Sequence, residues 1–338
     1  VTLLVRTLLA DADPEVSIRA RRLPPGVPPA EMSERLARFE RRFVRSAGDA
    51  PSVVRLHAQD YGALYRSMGP SVCLVAGTPD GHILGTLCLA KVGLRLPRGY
   101  VRHAAFATNL MVLPEARHGP TLARLMAAAF RWTAPRAWAA FAHVPEGSVS
   151  RPERFLKRLG LPAFTEFGAI RLVSFSASHA DDAALHEIEE VDEARVRAMH
   201  RRLTRGFNAT VGGNPAIRSA RAPRWIALRD GTACGCVEDY ERAKRHVFVG
   251  SDGELTMNHV SFLGYRDHAA AGRLVRAALA MTAQQGVPRL QLAVDESLER
   301  ELVAAITVSP EYGFRVRLAG FALLGLPRAP WSMNSTEI

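Results

Sequence analysis

The segment Leu113-Pro114-Glu115-Ala116-Arg117-His118-Gly119-Pro120-Thr121-Leu122 is where residue types bear most directly on chemistry. It follows an apolar run over residues 104–113 that reads as a strand, and it opens a stretch with helical periodicity. A strand ending in proline, then a glycine-containing turn into a helix, brings unpaired main-chain N–H groups to a positive helix terminus, a ready site for a phosphate. Pro120 has no N–H to give, so one charge-assisted contact of roughly 1.5–3 kcal/mol is missing from such a cradle. Downstream, His143 closes an apolar run and Glu146 lies in the loop Pro145-Glu146-Gly147-Ser148. With His103, these are the ionisable groups near enough in sequence to move a proton. Each also has a plain structural role open to it: His143 as a hydrogen-bonded core residue, Glu146 and His103 as solvated surface groups.

Metal chemistry is not indicated. Cys73, Cys88, Cys234 and Cys236 all sit in apolar strand-like runs, and Cys234-Gly235-Cys236 has neither redox nor zinc spacing, so reduced core thiols are expected.

The elements that would position the turn occur twice. Residues 71–77 (SVCLVAG), a turn at Thr78-Pro79-Asp80-Gly81 and residues 82–92 read as a hairpin. Residues 223–228, Arg229-Asp230-Gly231 and residues 232–237 repeat it, with Gly231 standing 150 positions after Gly81. The strand at 104–113 and helix at 121–132, with Leu122, Leu125, Met126, Ala129 and Phe130 on one stripe, have counterparts at 254–263 and 269–285, the latter with Ala271, Leu274, Val275 and Ala278 on one face. Arg117 and Arg266, both in the intervening turns, are 149 apart. Each half then gives a strand (137–144; 290–294), a short helix (151–159; 297–305) and a closing strand (167–175; 314–326), and each begins with a strand and helix (16–22 and 29–45; 185–191 and 193–205). A linker near Ser176-Ala177-Ser178-His179-Ala180 predicts domains at residues 1–177 and 178–338.

Size agrees with two cores: 338 residues suit two domains on the usual scale of about 100–200 residues each. No run of about 18 uncharged apolar residues is present to cross a bilayer, and Arg6 breaks the apolar N-terminal segment, so a cytoplasmic protein is expected. The net charge of +11 comes almost wholly from dispersed Arg, with Lys only at 91, 157 and 244. Dispersion of this kind is more often a solvated surface than a nucleic-acid footprint; a groove for an anionic cofactor would also fit, and charge alone does not separate these readings. The basic amphipathic stretch 35–45 is expected to lie on its own sheet with Leu36, Phe39 and Phe43 inward, and Val211-Gly212-Gly213-Asn214-Pro215 to be a connector.

The Leu113–Leu122 segment resembles the signature of GCN5-related N-acetyltransferases, in which the fourth strand leads into a Gln/Arg-x-x-Gly-x-Gly/Ala loop holding the CoA pyrophosphate. In element order the resemblance covers nearly the whole chain as a tandem pair, which implies an α/β (α+β) fold of two GNAT-like domains, each a mixed, mostly antiparallel sheet flanked by helices. It further implies an acyl-CoA-dependent N-acyltransferase, with acetyl-CoA or another acyl-CoA as co-substrate and a small-molecule or peptide amine as acceptor, in a monomer or homodimer. Carried over by position, Leu110, Met111 and Val112 would offer main-chain groups to the pantetheine arm. Arg117, His118, Gly119 and Thr121 would line the pyrophosphate, and Ser150 would take the place of a cofactor-touching Asn.

The chain departs from the pattern in ways that matter. The loop is one residue short, Asn109 stands where a carboxylate is frequent, and the acid Tyr is missing from Phe155-Leu156-Lys157-Arg158-Leu159-Gly160, leaving His143 and Glu146 as catalytic candidates. Tyr312 matches the family's aromatic-Gly-Phe turn but is expected to pack. The second copy, Arg266-Asp267-His268-Ala269-Ala270-Ala271, puts Asp267 where phosphates would sit and is expected to be structural. These departures leave open an alternative, a non-catalytic CoA-binding or scaffold member of the fold.

Overall fold

The computed structural model describes residues 19–337 apart from 24–25, 27, 47–49, 59, 118, 147–164, 252 and 324. In chain order the strands are β1 (Arg19–Arg22), β2 (Val44–Arg45), β3 (Val53–His57), β4 (Ser71–Gly77), β5 (Ile83–Arg95), β6 (Val101–Val112), β7 (Ala139–Pro145), β8 (Thr165–Ser176) and β9 (Ile188–Glu190). They continue with β10 (Asn208–Val211), β11 (Arg224–Leu228), β12 (Ala233–Glu238), β13 (Lys244–Phe248), β14 (Asn258–Tyr265), β15 (Arg289–Asp295), β16 (Tyr312–Ala322) and β17 (Trp331–Ser332). The helices are α1 (Ala30–Glu40), α2 (Ala63–Met68), α3 (Thr121–Thr133), α4 (Glu193–Leu203), α5 (Pro215–Arg218), α6 (His268–Gln284) and α7 (Glu299–Ile306).

The main sheet runs β1-β4-β5-β6-β7-β16-β8-β15-β14-β12-β11-β9. Along this path the pairs are antiparallel except β6 with β7 and β14 with β15, which are parallel. Read from its two ends, the order is one motif in mirror sequence, with the closing strands exchanged. β16, from the second half, pairs β7 of the first (Val316 opposite Pro145 through Ala322 opposite Ala139). β8, from the first half, pairs β15 of the second (Arg289 opposite Ser176 through Asp295 opposite Ile170). The two exchanged strands pair with each other from Tyr312 opposite Ser174 onward. Each half thus completes its sheet with a strand of the other, and the halves share one continuous ladder.

Helix α3 buries Leu125 and Ala129 of the predicted stripe, with Trp132, and packs against β4 and β5. Of the other stripe residues, Leu122, Met126 and Phe130 are half-buried, and Met126 and Phe130 face a cavity. Helix α6 is buried along Leu274, Val275 and Ala278, and those residues seed the core of the second half. Full burial of each such aliphatic side chain contributes about 1.5–3 kcal/mol.

Several segments differ from expectation, among them the strand expected over 254–263, which begins at Asn258. The helix expected over 29–45 stops at Glu40, where Phe43 N–H closes a turn on the Glu40 carbonyl, and Val44–Arg45 becomes an edge strand of a small sheet ordered β13-β3-β2. The strand expected over 185–191 begins late, because the Asp181 carboxylate accepts from Ala183 N–H and starts a 3₁₀ turn, Asp182–Glu187, ahead of β9. The connector at 211 is preceded by β10, which pairs β5 (Ala209 opposite Arg95) and so ties the halves together a second time. The short helix expected at 151–159 lies outside the described residues. All four cysteines are free and buried, and among the described residues no helix is long and apolar enough to cross a membrane.

Candidate active site

β6 carries a bulge at its centre. Thr86 of β5 opposes Met111 and Cys88 opposes Thr108, so Asn109 and Leu110 together face Leu87. Asn109 takes up the extra residue in the left-handed region (φ 54°), a conformation asparagine tolerates better than other side chains. Its side chain is fully engaged: Oδ1 accepts from Arg55 Nη2 at 3.0 Å and Nδ2 donates to Tyr61 Oη at 2.9 Å, while its carbonyl accepts from Thr86 Oγ1 at 3.1 Å. Asn109 is therefore the clasp of the bulge. Beyond it β6 and β7 part company. Their parallel pairing ends at Ala107 opposite Ala142, which leaves main-chain edges at Thr108–Met111 and His143–Pro145 facing a cavity of about 560 Å³. That volume lies in the range of small-molecule sites.

Past Val112 the chain makes a 3₁₀ turn, Pro114–Ala116, then Arg117, whose Nε donates to the Val112 carbonyl at 3.2 Å. Gly119 is exposed, and its N–H makes a long contact of 3.4 Å to the Ala116 carbonyl. Helix α3 starts behind Pro120 with no side-chain cap, its first inward bond being Arg124 N–H to the Pro120 carbonyl at 2.9 Å. Thr121 is wholly buried at this mouth, and its Oγ1 finds no hydrogen-bond partner among the described residues. An orphaned hydroxyl beside uncapped helix amides suits a phosphate. The equivalent mouth of α6 is closed: Asp267 Oδ1 accepts from Ala270 N–H at 2.9 Å, filling the position an anion would take.

Of the other candidates, Leu110 and Met111 line the cavity, and Val112 is buried where β6 leaves it. His118 and Ser150 lie outside the described residues. His143 is on the cavity wall, its ring 4.6 Å from that of Phe106, with neither ring nitrogen partnered among the described residues. Burial, aided by Lys244, pushes its pKa down to about 3, so the imidazole is neutral at physiological pH. Glu146 is exposed at the rim, its N–H bonded to the Arg315 carbonyl at 3.0 Å. His103 stays on the surface at the far end of β6, and Tyr312 is buried at the start of β16 on the cavity wall.

Sequence reasoning missed the roof of the cavity. Register puts Arg55 of β3 opposite His246 of β13, Lys244 opposite His57, and Arg45 of β2 opposite Val53. Side chains alternate faces along a strand, so Arg45, Arg55, Lys244 and His246 share the face that lines the cavity. The alternation of basic and apolar residues in Val53-Val54-Arg55-Leu56-His57 was the available signal, but strands of five residues with inward charges are weak in sequence.

No family model matches the sequence, and no curated protein does. Solved structures do. Saccharomyces cerevisiae N-myristoyltransferase with bound myristoyl-CoA superposes with a TM-score of 0.61 over 92% of this chain and 85% of that one, at 9% identity. A second structure of that protein with bound myristoyl-CoA gives 0.60 over 90% and 79%, also at 9% identity. A GCN5-related N-acetyltransferase from Kribbella flavida gives 0.47 over 74% and 60%, at 13% identity. At such identities the likeness to N-myristoyltransferase is one of fold alone.

Proposed function

We propose that the chain is an acyl-CoA-dependent N-acyltransferase that acylates a primary amine of a small molecule or peptide, with acetyl-CoA or another acyl-CoA as co-substrate. The observation that carries this reading is that an uncapped helix mouth and an open strand edge lie on successive elements of the first half, β6 and α3, both of which also line a cavity. Arg117, Gly119 and Thr121 hold the diphosphate at the start of α3, with His118 of the same turn; the edge of β6 from Val112 to Leu110 pairs with the pantetheine arm; Ser150 belongs to the same set. The co-substrate supplies, when bound, a thioester whose acyl group passes to the amine as the thiol leaves. His143, held neutral, accepts a hydrogen bond from the incoming amine, and Glu146 takes its proton through water. The cavity has room for more than an acetyl group, so chain length is set by how much of the space along Met126, Ala129 and Phe130 is filled.

Isothermal titration with acetyl-CoA and then with longer acyl-CoAs tests this reading. Saturable binding of at least one is expected, and no heat with any of them at millimolar concentration would overturn it. A second reading, a non-catalytic CoA-binding or scaffold protein, is favoured by one observation: Arg117 Nε occupies the Val112 carbonyl. Binding without acyl transfer to any member of a broad amine panel would support it.

A further inference from the structure

The cavity is apolar along α3 and basic under its roof. Arg45, Arg55, Lys244 and His246 project into it from β2, β3 and β13, and His143 and His259 line it from the main sheet. None of Arg45, Arg55 and Lys244 has a carboxylate partner among the described residues. Lys244, 6% exposed, reaches only the Thr336 carbonyl at 3.5 Å and the face of Tyr240; Arg45 reaches Met111 Sδ at 3.7 Å; Arg55 is spent on Asn109. Nε2 of His259 has no partner, and its Nδ1 is bonded to Ser335 Oγ.

Neighbouring carboxylates are committed elsewhere. Glu40 accepts from His57 N–H and pairs with its Nδ1, Glu238 is bidentate on Arg218, and Glu337 is held by Asn334 and Thr210. Glu146, the single carboxylate among the described residues lining the cavity, lies at the exposed rim where its charge acts on Arg315. Buried cations left without counter-charge are costly, and a cluster of them facing a cavity implies an anion that completes it. Burial and the neighbouring Arg55, Arg45 and Arg218 hold the Lys244 pKa well below its usual value, and burial with Arg55 brings Arg45 down to about 9, as expected of charges awaiting a partner.

The side of the sheet decides which substrate brings the anion. A side chain at Gly85 would meet Thr121 and Leu125 of α3, whereas the Cys88 thiol faces Tyr65 of α2, so α3 and α2 lie on opposite faces. The basic wall belongs with α2, through the Arg55–Asn109–Tyr61 chain of hydrogen bonds. The helix mouth assigned to the diphosphate is on the other face. We infer that the acceptor amine itself carries a carboxylate, held by Lys244 and Arg45 beneath the roof with His259 Nε2 beside them. The inference rests on the acyltransferase reading for the word acceptor, but the anion site stands on its own geometry.

Calorimetric titration of the full chain with N-acetyl derivatives of leucine, β-alanine and 6-aminohexanoic acid, each beside its carboxamide, tests it, because these products need no turnover and vary the amine-to-carboxylate spacing. At least one acid is expected to bind tenfold or more tighter than its amide. The preference should vanish in Lys244→Met and shrink in Arg45→Met, both required to melt cooperatively. Equal affinity of acid and amide throughout, or no binding of any of them, overturns the inference even if acyl-CoA binds. An acid preference without acyl-CoA binding sustains the site and defeats the acyltransferase reading. Discrimination of succinyl-CoA over butyryl-CoA, with none between acids and amides, would move the anion to the acyl donor and also overturn the inference.

Discussion

Asn109 and Phe262 hold the same left-handed backbone, φ 54° and 53°, at the same bulge in the two halves. Asn109 and Leu110 face Leu87; Phe262 and Leu263 face Gly235. The first is held by its own side chain, the second by a bond from its N–H to Asn334 Oδ1 at 2.8 Å. A positive φ costs little for asparagine and more for phenylalanine, so the fold keeps the bulge in both halves even where the residue is unsuited to it.

Replacing Asn109 therefore separates conformation from hydrogen bonding. Asn109→Gly keeps the backbone and loses the bonds to Arg55 and Tyr61, at about 1–3 kcal/mol. Asn109→Val adds strain and is expected to cost roughly 1–3 kcal/mol more. Urea denaturation of the two variants should rank them in that order, and equal midpoints would show that the bulge is not strained by a branched side chain.

The two helix mouths predict opposite responses. Gly119→Asp places a carboxylate at the uncapped start of α3 and should abolish acyl-CoA binding. Gly119→Ala should preserve it, since a Cβ there would meet nothing closer than the Ala116 carbonyl at 3.7 Å. Ala269→Asp, on the exposed first turn of α6, should leave binding unchanged. Asp267→Ala removes a cap and should lower stability by about 1 kcal/mol without weakening the cofactor. Titrations beside thermal melts read all four.

The buried pair of Arg218 and Glu238, both fully enclosed with contacts of 2.6 and 2.8 Å, should behave as a unit. Either Arg218→Met or Glu238→Leu alone leaves an unpaired buried charge and is expected to cost about 3–5 kcal/mol. The double variant should recover most of that loss. A double variant as unstable as the sum of the singles would mean the pair matters chiefly through its further bonds, such as that from Arg218 to Ser67 Oγ at 3.1 Å.

Acid should destabilise the protein through histidine. Burial holds His143 near 3, with Lys244 adding to it, and holds His200 near 3, with Arg95 and Arg197 adding to it. Their folded pKa values lie below the ordinary 6.5, so the unfolded chain binds protons first as pH falls. Stability from these groups is complete above about pH 6.5 and is lost toward pH 3, at roughly 1.4 kcal/mol per pH unit for each group. Denaturation midpoints between pH 7 and 4 should fall, and His200→Gln should flatten the slope.

Much of the architecture was legible because apolar periodicity and turn residues carry it. Residues 71–77 form β4 as read, α3 spans Thr121–Thr133, and the hairpins recur at the expected offset. The exchange of β8 and β16 was not legible, since a closing strand has the same local pattern whichever sheet it completes. The turn ahead of α3 was legible because proline, glycine and a following helix announce it locally. The basic roof was not, since Arg45, Arg55 and Lys244 meet only through pairing between residues far apart in the chain, a register no local spacing encodes.

Amide hydrogen exchange with and without acyl-CoA tests the central claim most directly, because it reports which helix mouth the co-substrate covers. Slowed exchange is expected in the first turn of α3 and along Leu110–Val112 of β6, with none at the start of α6. Protection confined to residues 267–271, or unchanged exchange at saturating ligand, would contradict it.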